Sequence, residues 1–196
     1  IQTPIHLNQM TTTQKPHRKT SVKTELLFDI ESTGLLRRGS KMHCIVVRNV
    51  ADTAEPEVFD HLPERTILQG IKTLERADVL IGHNIIGYDI PLIKEQYPDF
   101  NPTGEIIDTL IMSRLFYPKI EDRDYERRPE GMPQRLYGRH SLKAWGYRLQ
   151  CFKGDFGEDK ESWKEYTPEM LDYCIQDTEV TYKLYQMLMR RMSTYE

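Results

Sequence analysis

The spacing of hydrophobic and polar residues predicts a sheet with helices packed on it. Apolar runs bounded by turn residues predict five strands, over residues 26–31, 41–50, 57–62, 78–82 and 104–108. The first three follow one another through short connections, which indicates an antiparallel meander. The last two alternate with helical patterns, as parallel strands do. We therefore predict an α/β fold: a mixed five-stranded sheet, an antiparallel meander plus parallel strands, flanked by helices.

Apolar residues three and four apart predict helices over residues 63–77, 109–116, 141–149 and 168–192, and one more that opens at Ile90. The last is the longest, and Thr167-Pro168 gives it an N-cap followed by proline at the first helical position. Residues 118–139 show no regular pattern, and tyrosines are interleaved there with Arg123, Arg127, Arg128, Arg135 and Arg139. That segment is either a solvated loop or a surface where arginines hold phosphates and tyrosines stack on bases.

Composition narrows the class of protein. The chain has 196 residues, 38% hydrophobic and 29% charged, with a formal net charge of -3. One globular domain fits these values, and any nucleic-acid binding must depend on local patches. No apolar run reaches the length of a membrane span, and no signal peptide is recognisable. The three cysteines are widely separated and odd in number, which indicates reduced thiols rather than disulfides or a zinc site. We expect a cytoplasmic protein without a membrane partner.

The first 24 residues differ from the rest of the chain. They contain no acidic residue, are rich in threonine, and include Lys15, Arg18, Lys19 and Lys23. A segment of this composition cannot bury enough apolar surface to order itself, so we predict a flexible basic arm over residues 1–24 and a folded domain over residues 25–196. Because the chain does not begin with Met, we expect a fragment or a processed product.

Two acids stand at the end of the first predicted strand, where carboxylates are costly. Asp29 and Glu31 are two residues apart, so their side chains share one face of the strand. Adjacent carboxylates repel one another unless a cation lies between them. The pair indicates a divalent metal site, or else a strand end at which both acids face water.

Further acids follow the fourth strand and occupy the last helix. Asp89 stands at a helix start, five residues after Asn84, and is either a plain N-cap or a site residue at a strand end. Tyr173 and Asp177 are four residues apart and share one helix face. They form either an ordinary hydrogen-bonded pair or part of the same site.

Together these residues resemble the three exonuclease motifs of the DEDD superfamily of 3′-to-5′ exonucleases, which includes polymerase proofreading domains and ribonuclease D. In motif order the matching residues are Asp29 and Glu31; Asn84, Tyr88 and Asp89; and Tyr173 and Asp177. One branch of the superfamily has a histidine five residues before its final aspartate. This chain has Asp172 there, and its Tyr173 resembles the tyrosine branch.

A closer resemblance is to the exonuclease domain of phage replicative DNA polymerases of family A. It rests on His83-Asn84, on residues 138–149 (GRHSLKAWGYRL) and on Asp172-Tyr173 followed by Gln176-Asp177, and it extends over residues 25–192. It implies a ribonuclease H-like fold and metal-dependent, proofreading-like removal of nucleoside 5′-monophosphates from single-stranded 3′ ends, of DNA more than RNA. A polymerase module or accessory protein is the expected partner. The chain is either an excised polymerase domain or a free-standing exonuclease.

The resemblance also implies roles for individual residues. Two divalent ions, Mg²⁺ or Mn²⁺, would be held by Asp29, Glu31, Asp89 and Asp177. Tyr173 would orient the attacking water, since a phenol with a pKa of about 10 is a poor base at neutral pH. The residues implied in substrate binding are Asn84, His83, Arg139 and His140.

Three other functions remain open. A ribonuclease D-like exoribonuclease would use the same motifs on RNA. A ribonuclease H-like endonuclease or resolvase also gathers four acids on a mixed sheet, although the tyrosine of the third motif disfavours it. A catalytically silent nucleic-acid clamp would retain the fold without the reaction.

Overall fold

The computed structural model describes residues 23–34, 39–151 and 163–194. The predicted N-terminal arm lies outside the described residues apart from Lys23 and Thr24. The Thr24 amide donates to Asp78 Oδ2 over 2.8 Å, and its carbonyl accepts from the amides of Asp78 and Val79 over 3.0 and 3.1 Å. The backbone just before the first strand is therefore fixed by hydrogen bonds.

Within the described residues, five strands form one mixed sheet. They are β1 (Glu25–Ser32), β2 (Met42–Asn49), β3 (Glu57–Phe59), β4 (Val79–Gly82) and β5 (Glu105–Asp108). They lie side by side in the order β3-β2-β1-β4-β5. The β3-β2-β1 half is antiparallel, and the β1-β4-β5 half is parallel. The predicted sheet is confirmed.

Six α-helices of the described residues pack around this sheet. They are α1 (Ile67–Glu75), α2 (Asp89–Gln96), α3 (Thr109–Phe116), α4 (Ile120–Arg127), α5 (Leu142–Arg148) and α6 (Pro168–Met192). No described helix is long and apolar enough to cross a membrane. The three cysteines of the chain are buried.

The central strand β1 separates two hydrophobic cores. Leu26, Phe28 and Ile30 point into the core formed with α1 and α2. Leu27 points to the other face, where it packs with Tyr185 of α6. Since side chains alternate along a strand, the acids of β1 also belong to the face that α6 covers.

Helix α1 begins later than predicted, at Ile67 rather than at residue 63. Thr66 and Gln69 form a capping box, in which each side chain accepts a hydrogen bond from the other residue's backbone amide. Pro63 and Glu64 lie in the turn before it. A proline can open a helix, but here the side-chain cap determines where the intrahelical bonds begin.

Helix α4 lies in the segment predicted to be irregular, so that prediction is wrong for residues 120–127. Its sequence is mostly charged, and Ile120 is its one buried apolar side chain. The helix is held instead by Asp124, which is buried and accepts two hydrogen bonds from Arg148 of α5, over 2.7 and 2.8 Å. Hydrophobic periodicity cannot reveal a helix that is anchored by a buried ion pair.

Candidate active site

The end of β1 places two acids side by side on the face covered by α6. Asp29 lies opposite Val46 of β2, and Glu31 lies opposite Cys44. Ile30, between them, points into the other core. Glu31 is only 7% exposed. The alternative in which both acids face water is therefore wrong.

Helix α6 brings the third motif to the same place. The Cys174 thiol donates to Asp29 Oδ2 over 3.4 Å, which fixes this part of α6 against β1. The Tyr173 hydroxyl donates to the Asp177 carboxylate. Asp177 lies close enough to raise the pKa values of both Asp29 and Glu31. The first and third motifs thus form one cluster.

Asp89 of the second motif joins this cluster from α2. It is the first residue of the helix and is 3% exposed. The N-cap position belongs to Tyr88, whose side chain makes no capping bond, so the plain N-cap alternative for Asp89 is wrong. The Asp89 carboxylate accepts hydrogen bonds from its own amide and from the amide of Ile30 in β1. This last bond connects the second motif directly to the first.

Tyr88 provides a second connection between these motifs. Its hydroxyl donates to the carbonyl of Gly34 and lies 2.6 Å from Ser32 Oγ. Ser32 is the last residue of β1, and Gly34 belongs to the turn that follows it. The tyrosine of the second motif therefore holds the end of the strand that carries Asp29 and Glu31.

Asp108 fixes the turn that precedes Asp89. Its carboxylate accepts from the amides of Asn84 and Ile86 over 2.9 and 3.1 Å, and it caps α3 by accepting from Leu110 over 2.9 Å. Asp108 is therefore the N-cap of α3. The two bonds to the turn were not predicted, and they help hold Asn84 in a left-handed conformation with φ of 64°.

Burial raises the pKa of all four acids, and repulsion by other acids of the cluster adds to this effect at Asp29 and Glu31. Burial and then Asp29 raise the pKa of Glu31 to about 11. The pKa of Asp29 is raised by burial first and then by Asp89 and Asp177. Burial raises the pKa values of Asp89 and Asp177 to about 7, against hydrogen bonds that favour their ionised forms. Without a cation, the cluster therefore retains protons at neutral pH.

This donor set fits a hard divalent cation. Ligand atoms of Asp29, Glu31 and Cys174 all lie within 4.8 Å of one another. Carboxylate oxygens are the donors that Mg²⁺ and Mn²⁺ prefer, and a cation among them would remove the repulsion that raises their pKa values. The Cys174 thiol is a softer donor and already bonds to Asp29, so it fits a positioning role.

The residues expected to bind substrate include a half-buried histidine. His83 Nδ1 lies 2.9 Å from Thr109 Oγ1, and that hydroxyl donates to the carbonyl of Gly82. The hydroxyl therefore accepts from His83, which places the imidazole proton on Nδ1. Burial lowers the pKa of His83 to about 4, so the ring is neutral at pH 7.

His140 has a similar environment next to His83. Its Nδ1 lies 3.0 Å from Ser113 Oγ, and burial lowers its pKa. The described contacts of both rings are with α3 and α5 rather than with the acids. Asn84 and Arg139 are exposed, in the turn after β4 and just before α5. The four residues thus divide into two neutral imidazoles directed inward and two exposed polar groups.

Two cysteines beside the acids were not recognised as part of the site. The pKa of the Cys174 thiol is raised by burial first and then by a hydrogen bond with Cys44. A usable signal existed for Cys174, because residues three apart share a helix face and Asp177 follows it by three. For Cys44 the signal was its strand register opposite Glu31, which the sequence does not give.

No protein-family model matches the chain. The chain is similar to the DNA-directed DNA polymerases of two phages. It is 31% identical to that of Enterobacteria phage T3 over 188 residues and 31% identical to that of Escherichia phage T7 over 186 residues. These matches include 84% of this chain but 26% of each polymerase, so the chain spans about a quarter of the length of these relatives. The predicted resemblance is confirmed.

The fold is also similar to that of solved nucleases. Brucella melitensis NrnC with bound Mg²⁺ has a TM-score of 0.58 and 16% sequence identity, over 92% of this chain and 79% of NrnC. At this identity the likeness concerns the fold, and the predicted ribonuclease H-like architecture is confirmed.

The raised pKa values predict how stability depends on pH when metal is absent. Asp177 ionises at about pH 4 in the unfolded chain and at about 7 in the folded one. Between these values the folded state binds more protons, so the free energy of unfolding falls as pH rises from about 4 to about 7. We expect the melting temperature in EDTA to fall less steeply over this range for Asp177→Asn than for the wild type.

The comparison with a variant is needed because His83 and His140, whose pKa values are lowered, act in the opposite direction. Asp52→Asn, at an exposed acid between β2 and β3, is the matched control and should follow the wild type. Each kcal/mol corresponds to about 2 to 4 °C in a chain of this size. Identical slopes for Asp177→Asn and the wild type would contradict the pKa assignment.

Proposed function

We propose that this chain is a metal-dependent 3′-to-5′ exonuclease that removes nucleoside 5′-monophosphates from single-stranded DNA. One observation carries the proposal above the others. Three stretches far apart in sequence bring four acids and a tyrosine into one cluster of buried and half-buried side chains, and they do so in the motif order of the tyrosine-branch exonucleases. The identity to phage DNA polymerases favours DNA as the substrate.

The four carboxylates would hold two divalent ions, Mg²⁺ or Mn²⁺. Asp29 interacts electrostatically with each of the other three acids, and all four would hold the ions together. When bound, the ions supply charge neutralisation at the phosphate and activation of water. The reaction forms a bond between water oxygen and phosphorus and breaks the bond to the 3′ oxygen of the preceding nucleotide.

Tyr173 positions groups and does not serve as the base. Burial, and then Asp177, raise its pKa well above the ordinary value, so the phenol keeps its proton at neutral pH. Its hydroxyl donates to Asp177, and its ring makes an edge contact with Trp163 at 5.8 Å between centroids. A fixed hydroxyl beside a metal-binding carboxylate suits the orientation of the attacking water.

The exposed polar residues supply contacts to the strand. The Asp108 carboxylate fixes the backbone of Asn84, whose exposed side-chain amide would bond to the terminal nucleotides. Arg139 would meet a backbone phosphate. The neutral rings of His83 and His140 would shape the wall near the terminal nucleotide. A DNA polymerase module or an accessory protein is the proposed partner.

The alternative worth testing alongside is an exoribonuclease. Brucella melitensis NrnC, with the same fold, has been solved bound to pGG. Because the acids contact phosphates and not the sugar, the cluster itself does not discriminate DNA from RNA. The rates of cleavage of DNA and of RNA distinguish the two functions.

The direct test is a time course on a 5′-labelled single-stranded DNA and on an RNA of the same sequence, in Mg²⁺ and in excess EDTA. We expect a metal-dependent ladder that shortens from the 3′ end, faster on DNA. A faster ladder on RNA would select the exoribonuclease. Internal cuts would select an endonuclease, and binding without cleavage would select a silent clamp.

The paired substitution Asp29→Asn with Glu31→Gln should reduce cleavage to background, because it removes two of the four carboxylate charges while preserving side-chain shape. Single-strand binding should be largely retained. The control is Asp52→Asn with Glu55→Gln, two exposed acids in the β2–β3 connection. Cleavage by the site variant at the wild-type rate would exclude the assignment of these acids.

Tyr173→Phe should lower kcat by about 10- to 100-fold, as loss of a hydrogen bond to a metal-binding group does. Stabilisation of the protein by Mn²⁺ should persist, since the carboxylates remain. Tyr182→Phe, on the same helix and stacked under Arg48, is the matched control. An unchanged kcat for Tyr173→Phe would remove this tyrosine from the mechanism.

A further inference from the structure

A cavity of about 510 Å³ lies between the C-terminal ends of α4 and α5. Its size falls in the range of small-molecule sites, about 300 to 1,000 Å³. Its walls combine aromatic rings with cationic side chains. They include Tyr117, Trp145, Arg123, Arg127, Arg128 and Arg148.

Two buried donors belong to residues that line this cavity. Trp145 is 3% exposed, and the Arg148 side chain is 9% exposed. Arg148 uses Nε and one terminal nitrogen on Asp124. Its other terminal nitrogen, Nη1, and Trp145 Nε1 have no hydrogen-bond acceptor in residues 23–34, 39–151 and 163–194. Both atoms have almost no accessible surface, so they lie behind the cavity wall, which the ring of Trp145 and the guanidinium of Arg148 help to form.

The arginines and aromatic rings are interleaved. The Arg148 guanidinium lies 4.9 Å from the centre of the Trp145 ring, and that of Arg123 lies 5.0 Å from the centre of the Tyr117 ring. Surfaces that alternate cations with π-systems bind nucleotides, because the cations meet phosphates and the rings stack on bases. The chemistry of the walls therefore points to a nucleotide rather than to a simple anion.

The local charge remains positive after the opposing groups are counted. Two acids, Asp124 and Glu130, also line the cavity, and two helices end there with about half a negative charge each. Asp124 is satisfied by Arg148 and by the amide of Gly138 at 2.9 Å. Four arginines outweigh these groups, in a chain whose formal net charge is -3.

This cavity is separate from the carboxylate cluster. Met187 of α6 lines it, ten residues beyond Asp177 on the same helix. At 1.5 Å of rise per residue, that is about 15 Å along the helix axis. A single strand whose 3′ end lies at the acids would have to extend beyond its terminal nucleotides to reach it.

We propose that the cavity between α4 and α5 is a second binding site, which holds a nucleotide through its phosphate and base. The nucleotide is either an internal unit of the bound strand or a free nucleoside 5′-monophosphate. The choice of ligand rests on the proposed function, whereas the existence of the site rests on the cavity, its interleaved arginines and aromatic rings, and its charge.

The test uses the fluorescence of Trp145 in full-length Trp163→Phe protein, where Trp145 is the single tryptophan of the chain. Titrations with dTMP, with (dT)₃ and with (dT)₁₂ are made in EDTA, so that cleavage plays no part. We expect saturable quenching by dTMP or by (dT)₁₂. Quenching by (dT)₁₂ alone assigns the site to the strand, and quenching by dTMP assigns it to the free nucleotide.

Arg127→Gln combined with Arg128→Asn should weaken this binding by about tenfold or more, since each arginine can supply a charge-assisted bond to phosphate. Both side chains are exposed, and asparagine tolerates the left-handed backbone of residue 128, whose φ is 46°. Arg76→Gln, an exposed arginine at the end of α1 on the opposite face of the sheet, should leave binding unchanged.

Absence of quenching by every ligand would overturn the proposal, as would equal affinity of the double variant and the wild type. These failures differ from failure of the proposed function. If the wild type cleaves DNA in a metal-dependent way but no ligand quenches Trp145, only the proposed cavity site is excluded. If the arginine variant weakens the quenching but the wild type does not cleave, the cavity site stands and the exonuclease function is excluded.

Discussion

Repulsion among four carboxylates in a buried cleft is the constraint on which this structure depends. Burial and neighbouring acids raise the pKa of Glu31 to about 11, and Asp89 and Asp177 ionise only near pH 7. The neighbours that bond to the acids are neutral: the Tyr173 hydroxyl, the Cys174 thiol and backbone amides. Such donors orient carboxylates without cancelling their charge, so the cluster is prepared for cations that come from solution.

The rest of the fold holds the acids together by fixing the strand and the loops that carry them. Alternation along β1 directs Ile30 into one core and the two acids towards α6, so the strand is anchored on the side away from the charges. Tyr88 and Asp108 then fix the loops through hydroxyl and carboxylate bonds to the backbone. Each contact is modest, but together they leave the acids little room to separate.

Local sequence signals predicted most of the fold, and the resemblance to the exonuclease motifs indicated the four acids. The five strands follow from apolar runs, and α6 begins and ends where its cap and pattern indicate. Helix α4 was missed because its anchor is the ion pair between Asp124 and Arg148, whose partners are 24 residues apart. The hydrogen bonds that Asp108 accepts from the amides of Asn84 and Ile86 were not predicted for a similar reason. Their partners are 24 and 22 residues apart, and such contacts produce no periodic pattern in the sequence.

We expect a divalent cation to displace the protons that the cluster retains at pH 7. Calorimetric titration of Mn²⁺ into the protein at this pH, in two buffers of different ionisation enthalpy, measures the displacement. About one proton or more per chain should be released, because Asp89 and Asp177 are about half protonated at pH 7 and the ligands must ionise on binding. Binding heats that are the same in both buffers, and hence no proton release, would contradict this expectation.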